Sequence, residues 1–305
     1  MSVIVKGGGG GKSSGLYVWK KYERITYLSF IGNEDFTLKT YNNTKNWDGT
    51  LEYSTDKETW NTWNGTEISS AGSKLYLRGI GNTKITGSSS SYRFVFTGTD
   101  ALKIACEGNI ENLLDYETVS AGGHPTMAKY CYAYMFDGCT ALTSAPELPA
   151  TTLTNDCYNG MFFDCTSLTT APALPATTLG AYCYANMFRS CTSLTTAPEL
   201  PATTLTNGCY NQMFYGCTSL TTAPALPATT LAESCYENMF YVCEKIKLST
   251  TQTGEYQTVY RIPKSGTCTL APNALLDMFT STGGTFTGTP SINTTYYLST
   301  SNTVV

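Results

Sequence analysis

The sequence predicts a mainly β chain with short helices, in which an N-terminal β-sandwich is followed by a solenoid of 26-residue repeats. Three observations predict it. Cys131, Cys157, Cys183, Cys209 and Cys235 stand 26 residues apart, as do Cys139, Cys165, Cys191, Cys217 and Cys243, and a fixed period of this length marks units that stack on their neighbours. Upstream of them, short runs alternate apolar and polar residues between turn clusters, the pattern of half-buried strands. The chain has 305 residues, enough for two or three domains, and only 14% of them are charged.

Residues 1–24 read as a Gly-rich tether or attachment arm. The stretch SVIVKGGGGGKSSG comes close to a phosphate-cradling loop, which needs a glycine, four residues, Gly-Lys-Ser/Thr and then a helix N-terminus. Here Lys6 stands where the first glycine belongs. Lys12 and Ser13 are followed by Ser14, Gly15 and the β-forming Leu16-Tyr17-Val18-Trp19 rather than by a helix start. Val3-Ile4-Val5 is too short for the apolar region of a secretory signal. The longest apolar runs fall far below the roughly 20 residues of a membrane span, so neither an export leader nor membrane insertion is expected.

Residues 25–110 read as an Ig-like β-sandwich. Period-two pairs recur at Phe36 and Leu38, Leu51 and Tyr53, Leu75 and Leu77, Tyr92, Phe94 and Phe96, and Leu102 and Ile104, with turns at Gly32-Asn33, Thr55-Asp56-Lys57 and Gly87-Ser88-Ser89. Trp60 and Trp63 offer either a carbohydrate platform or closure of the sandwich core and its edge, and the second reading is preferred. Ile110, Leu113 and Leu114 are expected to cap the first repeat.

Residues 111–248 are the expected solenoid. Cys157, Met161 and Cys165 are four apart and share one face of a short helix or 3₁₀ turn, widened by Phe162. From Leu168 a short strand runs into Pro172 and Pro175, which exclude a helix. Residues 249–305 read as an insertion, a degenerate repeat and a cap: Leu270, Ala274, Met278 and Phe279 match Leu231, Cys235, Met239 and Phe240, Phe286, Pro290 and Ile292 echo Leu220, Pro224 and Leu226, and YYLSTSNTVV is an expected last strand.

The ten repeat cysteines are expected in the core ladder. A metal array would need closer spacing than Cys-x7-Cys, and His124 is the single imidazole. A disulfide ladder would need Cα atoms within about 7 Å. Buried thiols are the preferred reading, because free Cys is among the most buried residue types. Glu147 and Glu199 alternate with Ala173 and Ala225 at equivalent sites, which avoids a stack of carboxylates at strand spacing and is explained equally well by a 52-residue duplication, the distance from Glu147 to Glu199.

The pattern Cys-Tyr-x-x-Met-Phe-x-x-Cys-x-x-Leu-x-x-x-Pro-x-Leu-Pro resembles the leucine-rich repeats of BspA-type bacterial surface proteins. It departs from them where Met-Phe replaces the usual Ala-Phe. The resemblance covers about residues 125–250 and implies a curved solenoid for adhesion or display. The variable pairs Asn155 and Asp156, Ala181 and Tyr182, Asn207 and Gly208, and Glu233 and Ser234 would then carry specificity, or else be solvated loop residues. The segment GLYVWKKYE after the glycines resembles the attachment arms of phage tail or head-fibre proteins.

No catalytic constellation stands out: Asp115 and Glu117 are carboxylates of a kind any surface carries. A net charge of −4 without a basic stripe argues against a nucleic-acid partner. The expectation is a non-enzymatic, cofactor-free virion protein, a fibre, tail or capsid decoration. It would be held to other virion proteins by its N-terminal arm and would present the repeats to a host cell-surface glycan or protein for attachment. A bacterial cell-surface adhesin is the alternative. A homotrimer is compatible with a fibre, and no heptad run specifies one.

Overall fold

The computed structural model describes residues 27–305; the Gly-rich arm, with Lys12 and the segment resembling attachment arms, lies outside the described residues. The described chain is mainly β with little helix. Eight strands precede the repeats: β1 (Leu28–Gly32), β2 (Thr37–Thr40), β3 (Thr50–Ser54), β4 (Asn61–Trp63), β5 (Ile68–Ser69), β6 (Lys74–Ile80), β7 (Phe94–Thr97) and β8 (Ile104–Glu107). Helix α1 (Asn112–Ser120) and strand β9 (Leu142–Ser144) follow. One sheet has the order β4-β3-β6-β1-β8-β9 and a second has β5-β2-β7. Alternating apolar residues of both sheets meet: Phe30 of β1 packs edge-on against Phe96 of β7 at 5.0 Å, and Trp63 of β4 against Phe94 at 5.3 Å. Trp63 is buried and stacks on Trp47. Trp60 is half-buried, with Arg78 4.1 Å from its ring centre.

The division expected near residue 110 is not a break in the packing. Strand β9 belongs to the first repeat and pairs in parallel with β8, while Phe30 and Phe94 both reach Phe136 of that repeat at 6.2 Å. The cap on the first repeat is the expected one at Ile110, which donates its N–H to Glu147 O and accepts the Tyr132 hydroxyl at its carbonyl, and differs in the rest. Ile85 and Thr86 both donate their N–H to Cys131 O, and Phe94 donates to Met135 O, so backbone of residues 85–94 satisfies the carbonyls the first repeat would otherwise expose. Leu113 and Leu114 are buried elsewhere, because α1 lies on β6: Asn82 donates to Leu113 O and Leu114 O, and a Cβ on Gly79 would meet Leu113 O at 1.6 Å. Asp115 breaks the helix in two with extended φ/ψ of −156° and 99° and caps the second part by accepting the Thr118 N–H at 2.8 Å.

The Cys-Tyr-x-x-Met-Phe-x-x-Cys segments are not the helical turns expected from their spacing. Each is a run of consecutive turns. In the second repeat Cys157, Asn159, Met161, Phe163 and Cys165 donate to the carbonyl three residues back, while Asp156, Tyr158, Gly160, Phe162 and Asp164 donate to Ala181, Cys183, Ala185, Met187 and Arg189 of the next repeat. Local turn bonds and bonds between repeats thus alternate along the run and satisfy its backbone donors. Every fourth residue is left-handed, as at Asp156, Gly160 and Asp164 with φ between 54° and 59°. A four-residue turn period places Cys, Met and the second Cys inside as a helical stripe would, which is why the spacing alone did not separate the two.

Two consequences are testable. Val242 holds a left-handed position with φ 59°, where the equivalent residues include Gly138 and Gly216. A β-branched side chain is costly there, and Val242→Gly is expected to stabilise the chain by roughly 0.5–1 kcal/mol after the added flexibility of the unfolded state is counted. A lower urea midpoint for this variant would contradict the assigned backbone. Gly180 has a different reason to be glycine: a Cβ there would lie 2.3 Å from Thr154 C and 2.4 Å from Asn155 N. Gly180→Val must wedge two repeats apart at backbone atoms, a loss of about 3 kcal/mol or more, and an unchanged melting temperature would show that the repeats do not approach so closely.

The expected short strand of each repeat appears in part. Apart from β9 it is represented by β10 (Thr222–Ala223), β11 (Lys247–Ser249) and single parallel bridges such as Thr170 with Thr196. The remaining strands are β12 (Tyr256–Arg261), β13 (Gly283–Gly284), β14 (Thr295–Ser299) and β15 (Thr303–Val304). They form a sheet of order β12-β14-β11-β13 and a parallel pair β10-β15, so the inserted segment contributes a sheet strand and the tail two. The degenerate repeat stacks as its spacing predicts: Tyr236 and Phe240 donate to Ala274 O and Met278 O, and Phe279 stacks on Phe240 at 5.3 Å. Leu153, Leu179, Leu205 and Leu231 are buried, but Leu270, last in that line, is 59% exposed. Phe286 leaves the repeat pattern and packs on Tyr296.

Candidate functional site

The invariant residues of the repeat build its interior. Tyr132, Tyr158, Tyr184, Tyr210 and Tyr236 form one line of stacked rings at 5.6–5.9 Å, and Phe136, Phe162, Phe188, Phe214 and Phe240 another at 5.5–5.7 Å. All twelve cysteines are free and buried, including Cys131, Cys139, Cys157, Cys165, Cys183, Cys191, Cys209, Cys217, Cys235 and Cys243. The second thiol of each pair has a partner: Cys165, Cys191, Cys217 and Cys243 donate S–H to Phe136 O, Phe162 O, Phe188 O and Phe214 O at 3.0–3.1 Å, and Cys139 donates to Phe94 O at 3.4 Å. A serine-sized polar group would be costly in this apolar line, whereas a thiol packs as a small hydrophobe and still gives a weak bond. Met161 is fully buried between the cysteine positions.

The eight predicted surface residues do not behave alike. Asn155, Asn207 and Glu233 are exposed and Ala181 is half-buried, although Asn155 Oδ1 is already used by the Ala181 N–H at 2.9 Å. The second member of each pair occupies the left-handed position, with φ 56° at Asp156, 55° at Tyr182, 59° at Gly208 and 51° at Ser234. Two of these are corrections to a ligand-facing reading. Asp156 is buried, accepts Asn159 Nδ2 at 3.0 Å and lies 3.5 Å from Lys129 Nζ. Gly208 is buried beneath the Tyr182 ring, 2.2 Å from where its Cβ would be. Tyr182 is 44% exposed and Ser234 half-buried.

A second variable line, seven residues after the first, was missed by the sequence reading. Within the constant frame Cys-Tyr-x-x-Met-Phe-x-x-Cys the residue after Phe is Asp137, Phe163, Arg189, Tyr215 and Tyr241 in turn, and all five are half-buried. The Arg189 guanidinium lies 4.4 Å from the Tyr215 ring centre and 5.4 Å from that of Phe163, while Tyr215 and Tyr241 stack at 4.8 Å with planes 6° apart. Arg189 Nη1 also donates to Gln212 Oε1. Burial pushes the Asp137 carboxyl above its ordinary range, with Asp164 adding to the rise and Arg93 opposing it. Arg93 in turn covers Tyr41 at 3.9 Å. The signal for this line was in the sequence: of the four open places in the frame, this one carries only aromatic or charged residues.

At the junction with the first repeat, Lys45, Lys84 and Lys129 line an open hollow of about 360 Å³ together with Tyr92 and Tyr130. On the other flank Glu111 is buried with Oε2 2.8 Å from His124 Nδ1, and burial raises its carboxyl pKa against the opposing pull of His124. Asp115 is occupied by the Gly81 and Thr118 N–H groups. Among the described residues no His/Cys/Asp/Glu group has the arrangement to hold a metal ion, and no helix is long and apolar enough to cross a membrane. Comparison with protein-family models, curated proteins and solved structures returns no match for the chain.

Proposed function

We propose that the chain is a non-enzymatic display protein, a fibre, tail or capsid decoration of a phage particle, in which a leucine-rich-repeat solenoid behind an N-terminal β-sandwich presents a surface for host attachment. The observation that carries the display reading is the division of labour within each repeat. Tyr, Met, Phe and both Cys are constant and buried, whereas the residues at 137, 163, 189, 215 and 241 change and share one half-buried line. Stacked repeats hold such a line rigid at little cost in ordering on binding. The virion assignment rests on the resemblance to BspA-type repeats and on GLYVWKKYE after the glycines. Protonated, buried thiols suit a reducing assembly compartment.

Immunogold labelling with an antibody to residues 125–250, applied to separated particles and cells from a lysed culture, tests the assignment. Label on particles is the expected result. Label confined to cell envelopes would replace the virion reading with a bacterial surface adhesin of the same repeat type.

A further inference from the structure

We propose that Phe163, Arg189, Tyr215 and Tyr241 form a binding strip for an extended polysaccharide containing uronic acids, one sugar ring per repeat, with a sugar carboxylate seated on Arg189. The inference deepens the display reading and rests on it. The strip is held ready for a ligand. Arg189 lies between two aromatic rings and is tied to Gln212, and this orients its planar donor fork before any ligand arrives. A fork fixed in this way matches a carboxylate by two parallel N–H···O bonds. Arg189 Nε is buried and has no hydrogen-bond partner among the described residues, so a ligand carboxylate would meet the Nη ends of the fork.

The faces of the two tyrosines are turned to their neighbours, Tyr215 to both Arg189 and Tyr241. The strip therefore is not a flat platform for one sugar. It offers a series of side chains, phenol hydroxyls among them, at successive steps along the repeats. The steps, 4.8 Å between Tyr215 and Tyr241 and 5.5–5.7 Å between the buried Phe rings, are comparable to the length of one pyranose in an extended chain. A peptide strand fits less well, since its like-facing side chains recur every ~6.6 Å. Charge narrows the class further. Arg189 is the one cation of the strip, while Asp137 belongs to the same line and Asp164 follows Phe163. That balance suits a carboxylate on some sugars and not a polyanion charged on every unit.

The test is calorimetric titration of the full chain with hyaluronan, alginate and polygalacturonate oligosaccharides and with carboxyl-reduced hyaluronan. At least one acidic oligosaccharide is expected to bind, with affinity falling tenfold or more on Arg189→Gln, several-fold on Arg189→Lys and about threefold on Tyr241→Phe, while each variant keeps the parent melting temperature. Carboxyl-reduced hyaluronan should bind more weakly than hyaluronan. The proposal is overturned if none of the three binds at millimolar concentration, or if Arg189→Gln binds as the parent does, or if carboxyl reduction changes nothing. Immunogold label on particles or envelopes together with absent oligosaccharide binding would leave the display reading standing and remove only this one.

Discussion

Met187→Asp is expected to abolish cooperative folding of the repeats. Met187 is fully buried, and its backbone O accepts the Phe162 N–H of the preceding repeat. A carboxylate at that position has no cation to pair with, and the loss is on the order of 5 kcal/mol, a large part of the stability of an ordinary domain. Met187→Leu, which conserves volume, should cost less than about 1.5 kcal/mol. Urea unfolding followed by circular dichroism compares the three chains. A cooperative transition for Met187→Asp at the parent midpoint would show that this side chain does not face the core.

Raising the pH should unfold the native chain well before its backbone is chemically harmed. Burial pushes the thiols of Cys139, Cys157 and Cys209 from an ordinary 9.0 to about 12. It also raises those of Cys131, Cys165, Cys183, Cys191 and Cys217, and the phenols of Tyr132, Tyr158, Tyr184, Tyr210 and Tyr236. The sign follows from proton counts. Above pH 9 the unfolded chain releases protons that the folded chain keeps, so stability is full below pH 9 and falls as pH rises toward the folded values. A shift of three units amounts to about 4 kcal/mol for each group by the time it is traversed. With this many groups a cooperative collapse between about pH 9.5 and 11 is expected, seen together in circular dichroism and tyrosinate absorbance. Iodoacetamide at pH 8 should leave the native thiols unlabelled and modify them once the chain is unfolded in urea. Rapid labelling of the native chain at pH 8, or a stability that stays level up to pH 11, would contradict the buried ladder.

The residues that serve the interior were legible in one dimension. A period of 26 and a constant Cys-Tyr-x-x-Met-Phe-x-x-Cys named the buried side chains, because burial next to an identical neighbour tolerates no variation in size. The same constancy concealed the backbone. Cys157, Met161 and Cys165 lie on one face in a helix and also in a run of four-residue turns, and half of the donors that distinguish the two are satisfied by carbonyls 25 residues away, outside any local window. Asp156 illustrates a second limit. It varies between repeats as a ligand-facing residue would, yet its position is left-handed and its side chain is buried against Asn159 and near Lys129.

By itself the sequence determined the mainly β character of the chain, the register of its repeats, the line of thiols and rings inside them and the decay of the pattern from Cys235 to Ala274. Those follow from which side chains are apolar and how regularly they recur. Only the tertiary structure decided that β8 pairs with β9 and that residues 85–94 close the first repeat. It also decided that the inserted segment builds a strand, that the expected tail strand is divided in two, and that Phe163, Arg189, Tyr215 and Tyr241 lie side by side. Each of these depends on backbone groups far apart in the chain finding one another, and a hydrogen bond between distant residues leaves no mark on the residues between them.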